Sequence, residues 1–159
     1  MDSSSTTGHV VGINGNMVIV EIDQGSVVQN EVAFVLVEGM KLKSEVIKIL
    51  GKRCYMQVFE DTTGISVGNG VEFTGEMLAV ALGPGLLGQI YDGLQNPLGL
   101  LENKQGFFLQ RGQYKDALNA EKTWHFKPLV KVGDKLRGGQ WVGEVKENFL
   151  EHKILTPIG

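Results

Sequence analysis

Cysteine is almost absent from this 159-residue chain: Cys54 stands alone. No internal disulfide can brace the fold, which agrees with a reducing compartment. On a strand such a residue reads as a small core filler rather than a reactive thiol. No apolar run comes near the roughly 20 residues needed to span a bilayer, so membrane association is expected only indirectly, through partners. A basic surplus is missing as well. The formal net charge is −3, with 5 Lys/Arg against 10 Asp/Glu in residues 1–90 and 10 against 8 in residues 91–159. Neither half is a basic stripe, so no nucleic-acid partner is expected. Met1–Thr7 is polar and reads as a disordered tail without a secretory leader.

The usual constellations of reactive chemistry are missing too. A phosphate-binding loop needs G-x-x-x-x-G-K-[ST], so that backbone N–H groups wrap the phosphates and a lysine neutralises them. The nearest approach, Gly83-Pro84-Gly85-Leu86-Leu87-Gly88-Gln89, has the glycines but no Lys-Ser/Thr after them and reads as a structural turn. His9, His125 and His152 are far apart and lack companions at metal-ligand spacing. There is no G-x-S-x-G nucleophile elbow. Glu60-Asp61, before Thr62-Thr63-Gly64, reads as a turn in which Asp61 or Thr62 caps the following N–H groups. No catalytic, cofactor-binding or metal-ligating residue is assigned.

What is present is glycine, 22 in all, spread among short runs of alternating apolar and polar residues. His9–Ile13 and Asn16–Ile22 flank Asn14-Gly15, a tight-hairpin signal because both residues tolerate positive φ. In the second run Val18, Val20 and Ile22 face one way and Met17, Ile19 and Glu21 the other. Further strands are expected over Val32–Val37, Leu42–Leu50 with Val46 inward, Arg53–Phe59 with Cys54, Met56 and Val58 on one side, Val71–Phe73 and Leu78–Leu82. Gly51-Lys52 reads as a hairpin tip. About six short strands joined by turns indicate a small antiparallel barrel, which leaves no strand edge open.

The pattern changes at Gly83-Pro84-Gly85. Leu86, Leu87, Ile90, Tyr91 and Leu94 recur at helical spacing, giving a turn or short helix that ends before Pro97. Residues 98–106 read as a loop, and Gln113–Lys122 as a possible helix. A second β-rich region starts near Trp124, with three or four strands expected between Val130 and Val145. That is too few to bury a core unaided.

Several strings resemble the A (catalytic) subunit of V-type and archaeal-type rotary ATPases. They are Glu45–Ile49 with Gln57–Gly64; Gly75–Leu78 with the long run Leu82–Leu98; Phe108–Gly112; and Trp124–Phe126 with Pro128–Asp134 and Glu151–Ile154. They cover most of the chain from residue 8 onward, in the family's order. Asn96 departs from the pattern, standing where a basic residue usually precedes the proline, at the expected cost of a local salt bridge. The resemblance implies a mostly β chain: an N-terminal six-stranded antiparallel β-barrel over residues 8–82, a connector over 83–106, and from 107 the start of a β-rich, barrel-sandwich-like insertion, the bulge. It implies a crown of alternating A and B subunits, peripheral-stalk contact through the bulge, and a cytoplasmic location, peripheral on the membrane. ATP and Mg would be bound by the parent subunit beyond residue 159, with no cofactor held here. The parent would couple ATP hydrolysis or synthesis to H+ or Na+ transport. The acidic balance of residues 1–90 would select a partner by charge.

Two other classes compete. Gly133–Leu136 and Gly139–Val142 are similar to biotinyl- or lipoyl-carrier domains, but the position of the modifiable lysine falls at Phe149. An oligonucleotide-binding barrel could present Tyr55 and Phe59, yet few Lys or Arg surround them.

Overall fold

A computed structural model describes residues 6–98 and 111–158. The Phe108–Gln110 part of the third string, residues 99–106 of the loop expected over 98–106 and most of the N-terminal tail lie outside the described residues. The described chain falls into two compact units, one of residues 6–79 with 111–114, the other of residues 80–98 with 115–158.

The first unit is the barrel expected from the alternation. β1 (Thr7–Asn14), β2 (Met17–Gln24), β3 (Glu31–Val37), β4 (Met40–Leu50), β5 (Arg53–Val58) and β6 (Gly70–Met77) close in the order β1-β2-β5-β4-β3-β6, all pairs antiparallel. Every strand has a neighbour on both sides, so no ladder edge is left open. The interior follows the two-residue period: Val18 and Val20 from β2, Ala33, Val35 and Val37 from β3, Leu42 and Val46 from β4, Cys54, Met56 and Val58 from β5, Val71 and Phe73 from β6. These are mostly small or β-branched side chains, which suit the narrow lumen of a short-stranded barrel.

Three details show how the sequence closes the walls. The first hairpin turns on Gly15-Asn16, not on Asn14-Gly15, because Asn14 pairs with Met17. Only Gly15 takes a positive φ there, 61°, the φ pattern of a type II′ turn. In β4 a bulge between Val46 and Lys48 puts Ile47 on the outside and returns Ile49 to the core. Two polar groups are enclosed. The Ser44 hydroxyl donates to the Ala33 carbonyl at 2.8 Å. The Glu31 side chain, in a residue 1% exposed, accepts from the N–H groups of Val28 (2.9 Å) and Gly75 (2.6 Å). Both are therefore satisfied at positions where an unpaired group would be costly.

The sixth strand corrects one expectation. β6 runs from Gly70 to Met77, and residues 78–82 form no strand. The Gln95 side chain takes the place of a neighbouring strand at Ala81. It accepts the Ala81 N–H at 2.7 Å and donates to the Ala81 carbonyl at 2.8 Å.

The second unit contains one three-stranded sheet, β7 (Phe126–Pro128), β8 (Trp141–Glu147) and β9 (Leu150–Leu155), in that order and antiparallel. The strands expected within Val130–Leu136 are turns instead. Asp134 accepts the Lys131 N–H at 2.8 Å, which folds that stretch back on itself. The apolar spacing over 86–94 does not give a helix. Gly85 and Gly88 sit at φ 111° and 80°, outside helical geometry, and Asp92 accepts from Leu94 and Asn96, making a compact loop with a Tyr91–Pro97 bridge. Residues 113–122 are irregular as well. Their backbone groups go to tertiary partners: the Lys115 N–H donates to Asn96 Oδ1 at 3.1 Å, and the Ala117 carbonyl accepts from the Tyr91 hydroxyl at 3.1 Å. Asn96 thus replaces the expected salt bridge with hydrogen bonds. Its Nδ2 donates to Asp92 Oδ2 at 2.8 Å while its Oδ1 holds Lys115.

Candidate functional site

Several places in the sequence that could have held chemistry have structural tasks. Cys54 lies inside the barrel, fully buried, and burial, reinforced by the Glu31 carboxylate, pushes its thiol up to about 12. It is the core filler expected of it. Asp61 Oδ1 accepts the Thr63 N–H at 2.6 Å, the turn cap read from Glu60-Asp61-Thr62-Thr63. The Thr63 side chain first, and this N–H bond second, hold its carboxyl below the usual carboxylate value. Glu60 accepts the Gly112 N–H, and Arg111 donates to the carbonyls of Asp61 and Thr63, so the pair organises the barrel's own loops.

The histidines do not converge. His9 meets Asp23 at 2.9 Å on the barrel surface, His125 is exposed, and His152 meets Glu147 at 3.3 Å. Among the described residues no three His, Cys, Asp or Glu are grouped as a metal site would require. Tyr55 and Phe59 are half-buried, and the carrier-lysine position, Phe149, is fully displayed at the Asn148-Phe149 turn between β8 and β9.

Two arrangements in the second unit were not legible in the sequence. Glu144, on β8, receives Lys127 on one oxygen at 2.7 Å and Lys153 on the other. The hydrogen bonds from Lys127 and then Lys153 hold its carboxyl down at about 2, and the same contacts raise both lysines. Lys153 also lies 5.4 Å from the Trp141 ring centroid. Three residues on, Glu147 reaches the Gly83–Gly88 turn, 62 positions away at Gly85, and accepts its backbone N–H groups. A bulge between Trp141 and Gly143 breaks the alternation of β8 ahead of both glutamates.

These groups cap turns, form ion pairs and fill closed walls. The model of the ATP synthase alpha/beta family β-barrel domain matches residues 10–75, the barrel. That of the ATP synthase alpha/beta subunit barrel-sandwich domain matches residues 115–159, the region of the three-stranded sheet. The V-type ATP synthase alpha chain of Treponema denticola is 53% identical over 155 residues, 98% of this chain and 26% of the relative. That of Borreliella afzelii is 54% identical over 154 residues, 97% and 27%. The V-type ATP synthase alpha chain 1 of Treponema pallidum is 50% identical over 155 residues, 98% and 26%. The chain belongs to the V-type ATP synthase alpha-chain family. It spans about a quarter of the length of these relatives.

Proposed function

We propose that this part of an alpha chain assembles the head of a rotary ATPase and does not perform its chemistry. The observation that carries the reading is the closed barrel, within a chain similar to V-type alpha chains over nearly all its residues. A ring that transmits torque needs rigid modules side by side, and a barrel whose strands are all paired offers stiffness with a continuous lateral wall. In this reading the barrel alternates with that of the B subunit in a crown. The segment over residues 83–106 connects it to the rest of the subunit, and the region from 107 opens the bulge touched by peripheral stalks. The acidic wall selects a B subunit with a basic facing side.

ATP and Mg bind elsewhere in the parent subunit, whose hydrolysis or synthesis of ATP is coupled to H+ or Na+ transport. The complex is cytoplasmic and peripheral, and reaches the membrane through its ion-translocating sector. Among the described residues no helix is long and apolar enough to cross a membrane.

The test mixes the chain with the B subunit of the same complex and follows association by native mass spectrometry, with ATP titrated into the chain alone by calorimetry. The expected result is a salt-sensitive complex with the B subunit and no heat of ATP binding. Measurable ATP affinity, or no association at low salt, would overturn the reading. An intact mass carrying an added biotin or lipoate would turn it toward the carrier class.

A further inference from the structure

Glu147 ends β8 with its side chain 3% exposed. A buried carboxylate is tolerated only where donors replace the water it has lost, and here they come from a distant turn. We propose that the glycine-rich turn over residues 83–88 is an anion-binding cradle whose resident ligand is the chain's own Glu147 carboxylate.

The geometry carries it. The N–H groups of Gly85 and Leu87 converge on a single oxygen, Oε1, at 2.7 and 3.2 Å. Alternate amides turned toward one point form the concavity that holds oxyanions in phosphate-binding loops. Gly85 reaches that shape at φ 111°, where a side chain would be strained. The other oxygen, Oε2, lies 3.3 Å from His152 Nδ1 on β9, so the carboxylate is held from two sides. Burial opposes its ionisation, but the hydrogen bonds of Gly85, Leu87 and His152 outweigh that and keep its carboxyl below the ordinary value.

The arrangement explains a contradiction in the sequence. The turn has glycines suited to cradling an anion but lacks the lysine and hydroxyl that would recruit a phosphate. An internal anion needs no recruiting cation, because folding delivers it. While Glu147 is seated, its oxygen fills the position an outside anion would take. With Glu147 removed, the cradle would accept a small carboxylate or oxyanion. Seated, it clamps the turn to the β8–β9 hairpin.

The test is residue-resolved amide hydrogen exchange on the chain. In Glu147→Ala the Gly85 and Leu87 amides should exchange at least about tenfold faster, while the β8–β9 ladder keeps its protection. Excess sodium formate should then restore slow exchange at these two amides, and sodium chloride of equal ionic strength should not. Unchanged exchange at Gly85 and Leu87, or formate acting no better than chloride, would overturn the proposal. If the alanine variant loses the ladder as a whole, Glu147→Gln decides, since it keeps the shape and one acceptor but no charge. Intermediate exchange supports the cradle, and exchange equal to that of the unsubstituted chain sinks it. The readout is local to two amides, so it stands or falls separately from the assembly role.

Discussion

Leu42→Ala probes whether the barrel is a closed, rigid wall. Leu42 has no exposed surface and sits on β4 opposite Val35, among Val10, Val20, Val46 and Met56 in one core cluster. The substitution removes about three methylene equivalents, worth about 2.4 kcal/mol at ~0.8 each. A cavity term adds to this wherever the surroundings cannot collapse. Collapse is resisted here because β4 is hydrogen-bonded to β3 on one side and β5 on the other. We therefore expect a loss of about 3–4 kcal/mol. The matched control is Ile47→Ala, five residues along the same strand, where the bulge turns the side chain outward and leaves it 37% exposed. It should cost less than about 1 kcal/mol. Urea unfolding should be followed by NMR signals of barrel residues such as Val20 and Met56, because both tryptophans, Trp124 and Trp141, lie in the other unit. A Leu42→Ala loss below about 1.5 kcal/mol, or equal costs at the two positions, would refute a rigid closed wall.

Glu31→Gln should destabilise the barrel by about 1–3 kcal/mol, because the amide keeps one acceptor for the two N–H groups now bound by both carboxylate oxygens; chemical denaturation measures it. Cys54, with its thiol pushed up to about 12, should resist iodoacetamide at neutral pH in the folded chain and react in urea; equal rates in both conditions would contradict its burial. Glu144 should titrate near 2 rather than near its ordinary 4.5, as read by carboxyl carbon NMR. Its folded-state value is depressed, so its contribution to stability is present above about 4.5 and is lost as pH falls toward 2. Replacing Lys127 and Lys153 by Met should move that midpoint upward.

Residue order alone determined the barrel. Alternation at Val18/Val20, Leu42/Val46 and Cys54/Met56/Val58 names the inward face, since a strand's period of two leaves a half-buried pattern little choice. It also determined family membership, carried by strings such as Leu82–Leu98, and the hairpin at Gly51-Lys52. Tertiary structure decided the segments that have no period of their own to enforce. Leu86, Leu87, Ile90, Tyr91 and Leu94 are spaced as in a helix, but the amides of Gly85 and Leu87 are bound to a carboxylate from β8. Leu78–Leu82 reads as a strand, but Gln95 satisfies the Ala81 backbone in place of a ladder partner. Residues 113–122 have helix-forming composition, yet Asn96 and Tyr91 take up their backbone groups. The physical reason is common to all three. A backbone N–H or C=O must be paired, and pairing within a helix or strand is the outcome only where no distant side chain binds it first. Local spacing carries no information about partners 14 to 62 residues away. Those partners exist only once the chain has folded.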